Sequence, residues 1–170
     1  MRVAVVTVSD RSFLGERPDL SGPVLKRLLE EAGAEVVEAV VVPDDPLIIA
    51  PTLVRLADAM RCDLVITTGG TGLSPRDTTP EATRQVIDKE LPGMAVAIHQ
   101  ESLKQTPFAM LSRGVVGVRG QTLILNFPGS PKAVKECFSV VEPVLIHAVK
   151  LLSDEDPYQH PMAADQPSVE

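Results

Sequence analysis

Short apolar runs alternate with amphipathic stretches along the chain. Residues 3–8 (VAVVTV) are almost continuously apolar, the pattern of a strand covered on both faces in a parallel sheet. Residues 35–42 and 63–67 read as the second and third strands. A polar loop spans residues 9–20, and Ser21 reads as the cap of a helix whose stripe is Val24, Leu25, Leu28, Leu29 and Ala32, ended by Gly33. Pro43-Asp44-Asp45-Pro46 turns the chain into a second helix, with Leu53, Leu56, Ala57 and Met60 inward. Pro51 lacks a backbone donor, so this helix is expected to start late or to be irregular at its start. Helices are predicted near 80–88 and 94–104, broken apart by Leu91-Pro92-Gly93. Residues 115–118 and 122–125 read as strands of a hairpin around Arg119-Gly120-Gln121. In the last helical region Val134, Cys137, Phe138 and Val141 share a face, and Pro143 is expected to start a second segment.

Strands alternating with helices predict a three-layer α/β/α fold, with a mostly parallel sheet and the hairpin as an antiparallel edge. The 170 residues suit one domain over 1–152, and the polar, proline-containing residues 153–170 are expected to be a poorly ordered tail. Aromatic residues make up only 3% of the chain and Trp is absent, so the core must rest on Val, Leu, Ile and Ala. Together with a net charge of −7, this excludes a base-stacking or generally basic nucleic-acid surface. An anionic ligand would have to be held locally, by backbone amides, a few cations or a bound metal. Cys62 and Cys137 lie far apart in apolar surroundings and read as buried free thiols, which fits a reducing compartment. MRVAVVTVSDR is too short and too β-branched for a signal peptide, and no run approaches transmembrane length. The expected location is the cytoplasm, with no membrane and no nucleic-acid partner.

The unusual loops all fall at carboxyl ends of predicted strands, where ligands sit in open α/β sheets. They are SDR, PDD, TTGGTGLSPRDTT and NFPGSPK. Gly69, Gly70 and Gly72 permit positive φ and let amides face phosphate oxygens, although a tight strand-to-helix turn would use the same glycines. The loop is neither a Walker loop nor GxGxxG. Asp77 and Asp44 each have a rival role as a turn or helix cap, but Thr78 with Glu81 offers a capping box and Asp45 precedes Pro46. Freed from capping, two carboxylates from adjacent strand ends can share one Mg²⁺ with substrate phosphates. Gly129 and Ser130 open a helix beside Lys132, which reads either as an anion site or as a Pro-Gly turn with a solvated Lys. Ser9, Asp10 and Arg11 add polar groups after the first strand, and Ser112-Arg113-Gly114 reads as a helix C-terminal cap. His99, His147 and His160 are isolated and show no zinc spacing.

DLVITTGGTGLSPRDTTPEAT closely resembles the signature of the molybdenum-cofactor biosynthesis family, of the molybdopterin adenylyltransferase type. The resemblance runs from VTVSDR through VVPDD and AMLSRGVVGVRGQTLILNFPGSPKAVKEC. It implies an α/β/α homotrimer that joins ATP to molybdopterin, giving adenylyl-molybdopterin and pyrophosphate. It puts Asp44 and Asp77 at the family's two essential carboxylates, with Mg²⁺ between them. Thr68, Gly69, Gly70, Thr71, Gly72, Ser74, Arg76 and Thr78 would then serve the substrates, as would Ser9 and Asp10. Gly129, Ser130 and Lys132 would hold the pterin phosphate. A molybdenum-inserting enzyme of the pathway is the implied partner. The alternatives are a paralogue that binds molybdopterin without adenylating it, as a scaffold, and a nucleotide pyrophosphatase.

Overall fold

Six strands form one mixed sheet in the computed structural model, which describes residues 1–153. The strands are β1 Arg2–Val8, β2 Glu35–Val42, β3 Leu64–Thr68, β4 Lys89–Glu90, β5 Val116–Arg119 and β6 Thr122–Phe127. Their spatial order is β2-β1-β3-β6-β5-β4. The first four in that order are parallel neighbours, and β5 runs antiparallel to both β6 and β4. The mostly parallel sheet with an antiparallel edge is the expected one. The two-residue β4 was not anticipated, because a pair of charged residues carries no strand pattern. The tail beyond Ser153 lies outside the described residues.

Helices cover both faces. They are α1 Asp10–Phe13, α2 Ser21–Glu31, α3 Pro46–Val54, α4 Thr79–Val86, α5 Pro92–Gln105 and α6 Pro131–Leu152. One core layer joins Val3, Val5, Leu64, Ile66, Leu123 and Leu125 to α2, α5 and α6. The other joins Ala4, Val6, Val65 and Ile124 to α3 and α4. Alternate residues of the same strand therefore enter opposite layers, as the pleat requires. Every residue of β3 and β6 is buried, so the near-continuous apolar runs report double burial. Cys62 and Cys137 are buried free thiols, as expected.

Several local expectations change in the folded chain. Ser21 is the first residue of α2 rather than its cap. The Asp19 carboxylate does the capping instead, accepting the amides of Ser21 at 3.1 Å and Gly22 at 2.9 Å. Asp45 does cap α3, accepting the Leu47 amide at 2.9 Å. α3 runs straight through Pro51, and its irregularity comes later, as a π-helical turn at Arg55–Ala59. α6 likewise continues past Pro143. Both prolines are exposed, so the carbonyls they leave without a helical donor, on Leu47 and Ser139, face water. Thr78 forms no side-chain cap.

Candidate functional site

The parallel strands deliver their carboxyl ends to one edge of the sheet, and the site is assembled there. β3 ends at Thr68, whose hydroxyl donates to the Pro128 carbonyl at 2.8 Å. The Gly69 amide donates to Phe127 O at 3.0 Å, which ties the glycine loop to the end of β6. The loop then passes through a space that admits no side chain. Gly69 has φ +101°, and a Cβ there would lie 2.3 Å from the Val8 carbonyl oxygen. Gly70 has φ +63°, and its Cβ would meet Thr79 Oγ1 at 2.3 Å and Asp44 Oδ1 at 3.0 Å. Glycine at these two positions is thus required both by conformation and by close approach. Thr79 secures the turn by donating its hydroxyl to Gly69 O at 3.0 Å and its amide to Gly70 O at 3.1 Å.

Acidic side chains from three loops meet beside it. Asp44, just past β2, and Asp10, the first residue of α1 just past β1, exchange bonds. The Asp10 amide donates to Asp44 Oδ2 at 2.8 Å, and the Asp44 amide donates to Asp10 Oδ1 at 2.9 Å. Arg76 then clamps Asp10 with Nε and Nη2, both at 2.9 Å. That hydrogen-bonded guanidinium holds the Asp10 carboxyl below its usual pKa. Asp44 shifts the other way. Burial pushes its pKa up, and the charges of Asp10 and Asp77 add to the rise against the opposing pull of the Asp10 amide and Arg76. Asp77 is oriented by its own loop, with Oδ2 accepting the Ser74 amide at 2.8 Å.

Asp44 and Asp77 border the same cavity, of about 230 Å³, together with Ser9, Thr68, Gly69, Gly70 and Gly129. Arg17 and Asp19 complete its rim. A second cavity of about 290 Å³ lies on the other side of the loop and is bordered by Thr71, Gly72 and Ser130. Its remaining wall includes Ile98, Phe108, Leu111 and Val116, so it is far more apolar. The two carboxylates thus face one polar space, and a single glycine loop separates it from a cavity suited to a ring system. Among the described residues, no group of three or more His, Cys, Asp or Glu side chains is placed to hold a metal. A cation here would therefore need ligand oxygens besides Asp44 and Asp77.

The remaining candidates border neither cavity. Asp10 and Arg76 pair with each other, and the Ser74 hydroxyl accepts from the Arg76 amide at 3.4 Å. Lys132 is exposed, with its ammonium 3.7 Å from Glu136. The Thr78 hydroxyl is buried and has no hydrogen-bond partner. Sequence reasoning missed Asp19, although an Asp two residues before a helix is a recognisable capping signal. It also missed Arg113, assigned there only to a helix end. Residues Pro107–Leu111 form a 3-10 helix with Ser112 at its C-terminus, and Arg113 reaches back to the glycine loop. Its partners there, Gly72 and Asp77, lie 41 and 36 residues away, so no local pattern exposes them.

Residues 4–147 match a family described as a probable molybdopterin binding domain. The chain is 40% identical over 154 residues to the molybdopterin adenylyltransferase of Helicobacter pylori, covering 89% of this chain and 88% of that protein. It is 48% identical over 152 residues to the molybdenum cofactor synthesis protein cinnamon of Drosophila melanogaster, covering 89% of this chain but only 25% of that longer protein. Among solved structures, the molybdopterin biosynthesis enzyme MoaB of Thermus thermophilus superposes with a TM-score of 0.85 at 49% identity, covering 90% of this chain and 96% of that one.

Proposed function

The chain belongs to the molybdenum-cofactor biosynthesis family, through its molybdopterin binding domain, and from that premise we propose that it is a molybdopterin adenylyltransferase. It joins ATP and molybdopterin to give adenylyl-molybdopterin and pyrophosphate. The observation that carries the reading is the shared cavity of Asp44 and Asp77, floored by glycine-loop backbone and adjoined by a second, apolar cavity. Transfer between two phosphorylated substrates asks for alignment and charge neutralisation rather than for a nucleophile from the protein.

The residues fit a role for Mg²⁺. Asp44 past β2 and Asp77 past β3, on either side of β1 rather than at adjacent strands as the sequence suggested, make the small protein donor set that magnesium accepts alongside phosphate oxygens and water. Asp44, half-buried beside the charges of Asp10 and Asp77, sits in an excess of negative charge that a cation relieves. When bound, Mg²⁺ supplies positive charge against the phosphate oxygens.

The chain's own groups do the rest. Amides of Gly70 to Gly72 receive phosphate oxygens without side-chain interference, while the Gly69 amide stays on Phe127 O. Ser74, whose amide holds the Asp77 carboxylate, and Thr78, whose hydroxyl is buried, support the loop from outside both cavities. Ser9 and Thr68 supply further polar contacts at the cavity wall. Arg76 steadies Asp10, and Asp10 in turn steadies Asp44. Gly129 and Ser130, with Lys132 in the first turn of α6, receive the pterin phosphate. The same reading includes a cytoplasmic homotrimer that passes its product to a molybdenum-inserting enzyme, supported by the family resemblance. No helix among the described residues is long and apolar enough to cross a membrane.

The test is to incubate the protein with ATP, Mg²⁺ and molybdopterin and to follow adenylyl-molybdopterin by chromatography. The wild type should form it with matching pyrophosphate release. Asp77→Asn should lose about 100-fold or more in rate while binding molybdopterin normally. A folded wild type that binds molybdopterin but never adenylates it would refute the proposal.

A further inference from the structure

The loop between Gly72 and Asp77 projects from the surface, with Leu73, Ser74, Pro75 and Arg76 all exposed. It nevertheless carries one of the two carboxylates that define the polar cavity. Besides the loop's own Ser74–Asp77 bonds and the Arg76–Asp10 pair, its two ends are bridged by a side chain from a different part of the fold. Arg113 lies in the connector between the 3-10 helix and β5, and its own amide donates to Thr71 O at 2.9 Å. Its Nε donates to Gly72 O at 2.8 Å, and its Nη2 donates to Asp77 O at 2.7 Å. Its Nη1 pairs with the Glu81 carboxylate on α4.

The guanidinium therefore bridges the carbonyls of the first and last residues of a six-residue loop while being braced from behind. Its main-chain neighbours Ser112 and Gly114 border the apolar cavity. One residue thus connects the wall of one cavity to the backbone of the residue that brings its carboxylate to the other.

We propose that Arg113 is a positioning residue for the transfer site: it clips the neck of loop 72–77 by its backbone and so, with the Ser74 amide on the carboxylate, sets where Asp77 stands. The proposal rests on the reading of Asp77 given above. A planar fork can satisfy two carbonyls and a carboxylate along three fixed directions, whereas the lysine ammonium is a point charge on a flexible stem. Lysine at this position keeps the charge and loses the clip. Because Asp77 acts at the charge developing on the transferred group, its misplacement lowers turnover more than ground-state binding.

The experiment compares wild type, Arg113→Lys and Glu81→Gln by amide hydrogen exchange with mass spectrometry and by steady-state adenylation at saturating Mg²⁺. In Arg113→Lys the peptide spanning residues 72–78 should exchange about tenfold faster or more, with peptides from β1 and α2 unchanged. Its kcat should fall about 30-fold, with the KM for molybdopterin within about threefold of wild type. Glu81→Gln, which leaves both carbonyl bonds in place, should shift both readouts in the same direction by less. Unchanged exchange at 72–78 in Arg113→Lys overturns the clip. So does a raised KM with preserved kcat, or a uniform rise in exchange across all peptides. A wild type without adenylation defeats the functional reading alone, because the exchange comparison then still decides whether Arg113 holds the loop.

Discussion

Replacing Gly70 with Ala probes the close packing on which the site depends. The native φ of +63° is left-handed, and a residue with a Cβ pays about 1–2 kcal/mol to occupy that region. The added carbon would also stand 2.3 Å from Thr79 Oγ1. Thr79 is wholly buried, and its hydroxyl already serves Gly69 O at 3.0 Å. Turning the hydroxyl away leaves a buried donor and acceptor unpaired, at a cost of about 1–3 kcal/mol. The sum is about 2–5 kcal/mol, which for a chain of this size lowers Tm by about 4–20 °C. Urea unfolding should show the same loss as a lower midpoint at an unchanged slope. A double-mutant cycle locates the source. In a Thr79→Ala background the worst clash is gone and only the tighter-than-usual approach to Asp44 Oδ1 remains, so Gly70→Ala should cost clearly less, mainly the conformational part of about 1–2 kcal/mol. A Tm shift below about 2 °C, or the same cost in both backgrounds, would refute the steric argument.

Asp44→Asn should raise Tm at neutral pH even as it removes activity. Burial raises the Asp44 pKa, so the folded chain binds that proton more tightly than the unfolded chain, and ionised Asp44 costs stability above the raised pKa. The advantage of Asn should shrink as pH falls through the raised pKa and vanish below the ordinary value of 3.8. A gap independent of pH in thermal melts would contradict this. Asn126→Leu should destabilise by about 3–5 kcal/mol in urea titrations, because it strands buried polar groups. Asn126 is 3% exposed and serves Thr67, Thr83 and the Val115 amide. A loss below about 1 kcal/mol would show that the network relaxes around the substitution.

Where a residue's role depends on its near neighbours, the sequence carried it. The apolar runs of β1 and β3 declared burial on both faces, because these strands lie inside the sheet and helices cover both of its sides. Asp45 before Pro46 declared a helix start, since the cap bond reaches only two residues. The clustering of glycine, Asp44 and Asp77 at strand ends marked the edge that holds the polar cavity, because parallel strands deliver all their carboxyl ends to one side.

Tertiary structure decided what depends on distant pairing. Thr78 with Glu81 looks like a capping box, yet Glu81 turns to Arg113, a partner 32 residues away. Pro143 looks like a helix start, yet α6 passes through it because its unpaired carbonyl falls on the solvent side while Val141 and Leu145 stay in the core. Asp10 meets Asp44 across 34 residues and Arg76 across 66, through contacts that exist only once β2, β1 and β3 lie side by side. Periodicity encodes which face of an element is buried. Strand order and register decide which loops touch, and only the assembled sheet specifies them.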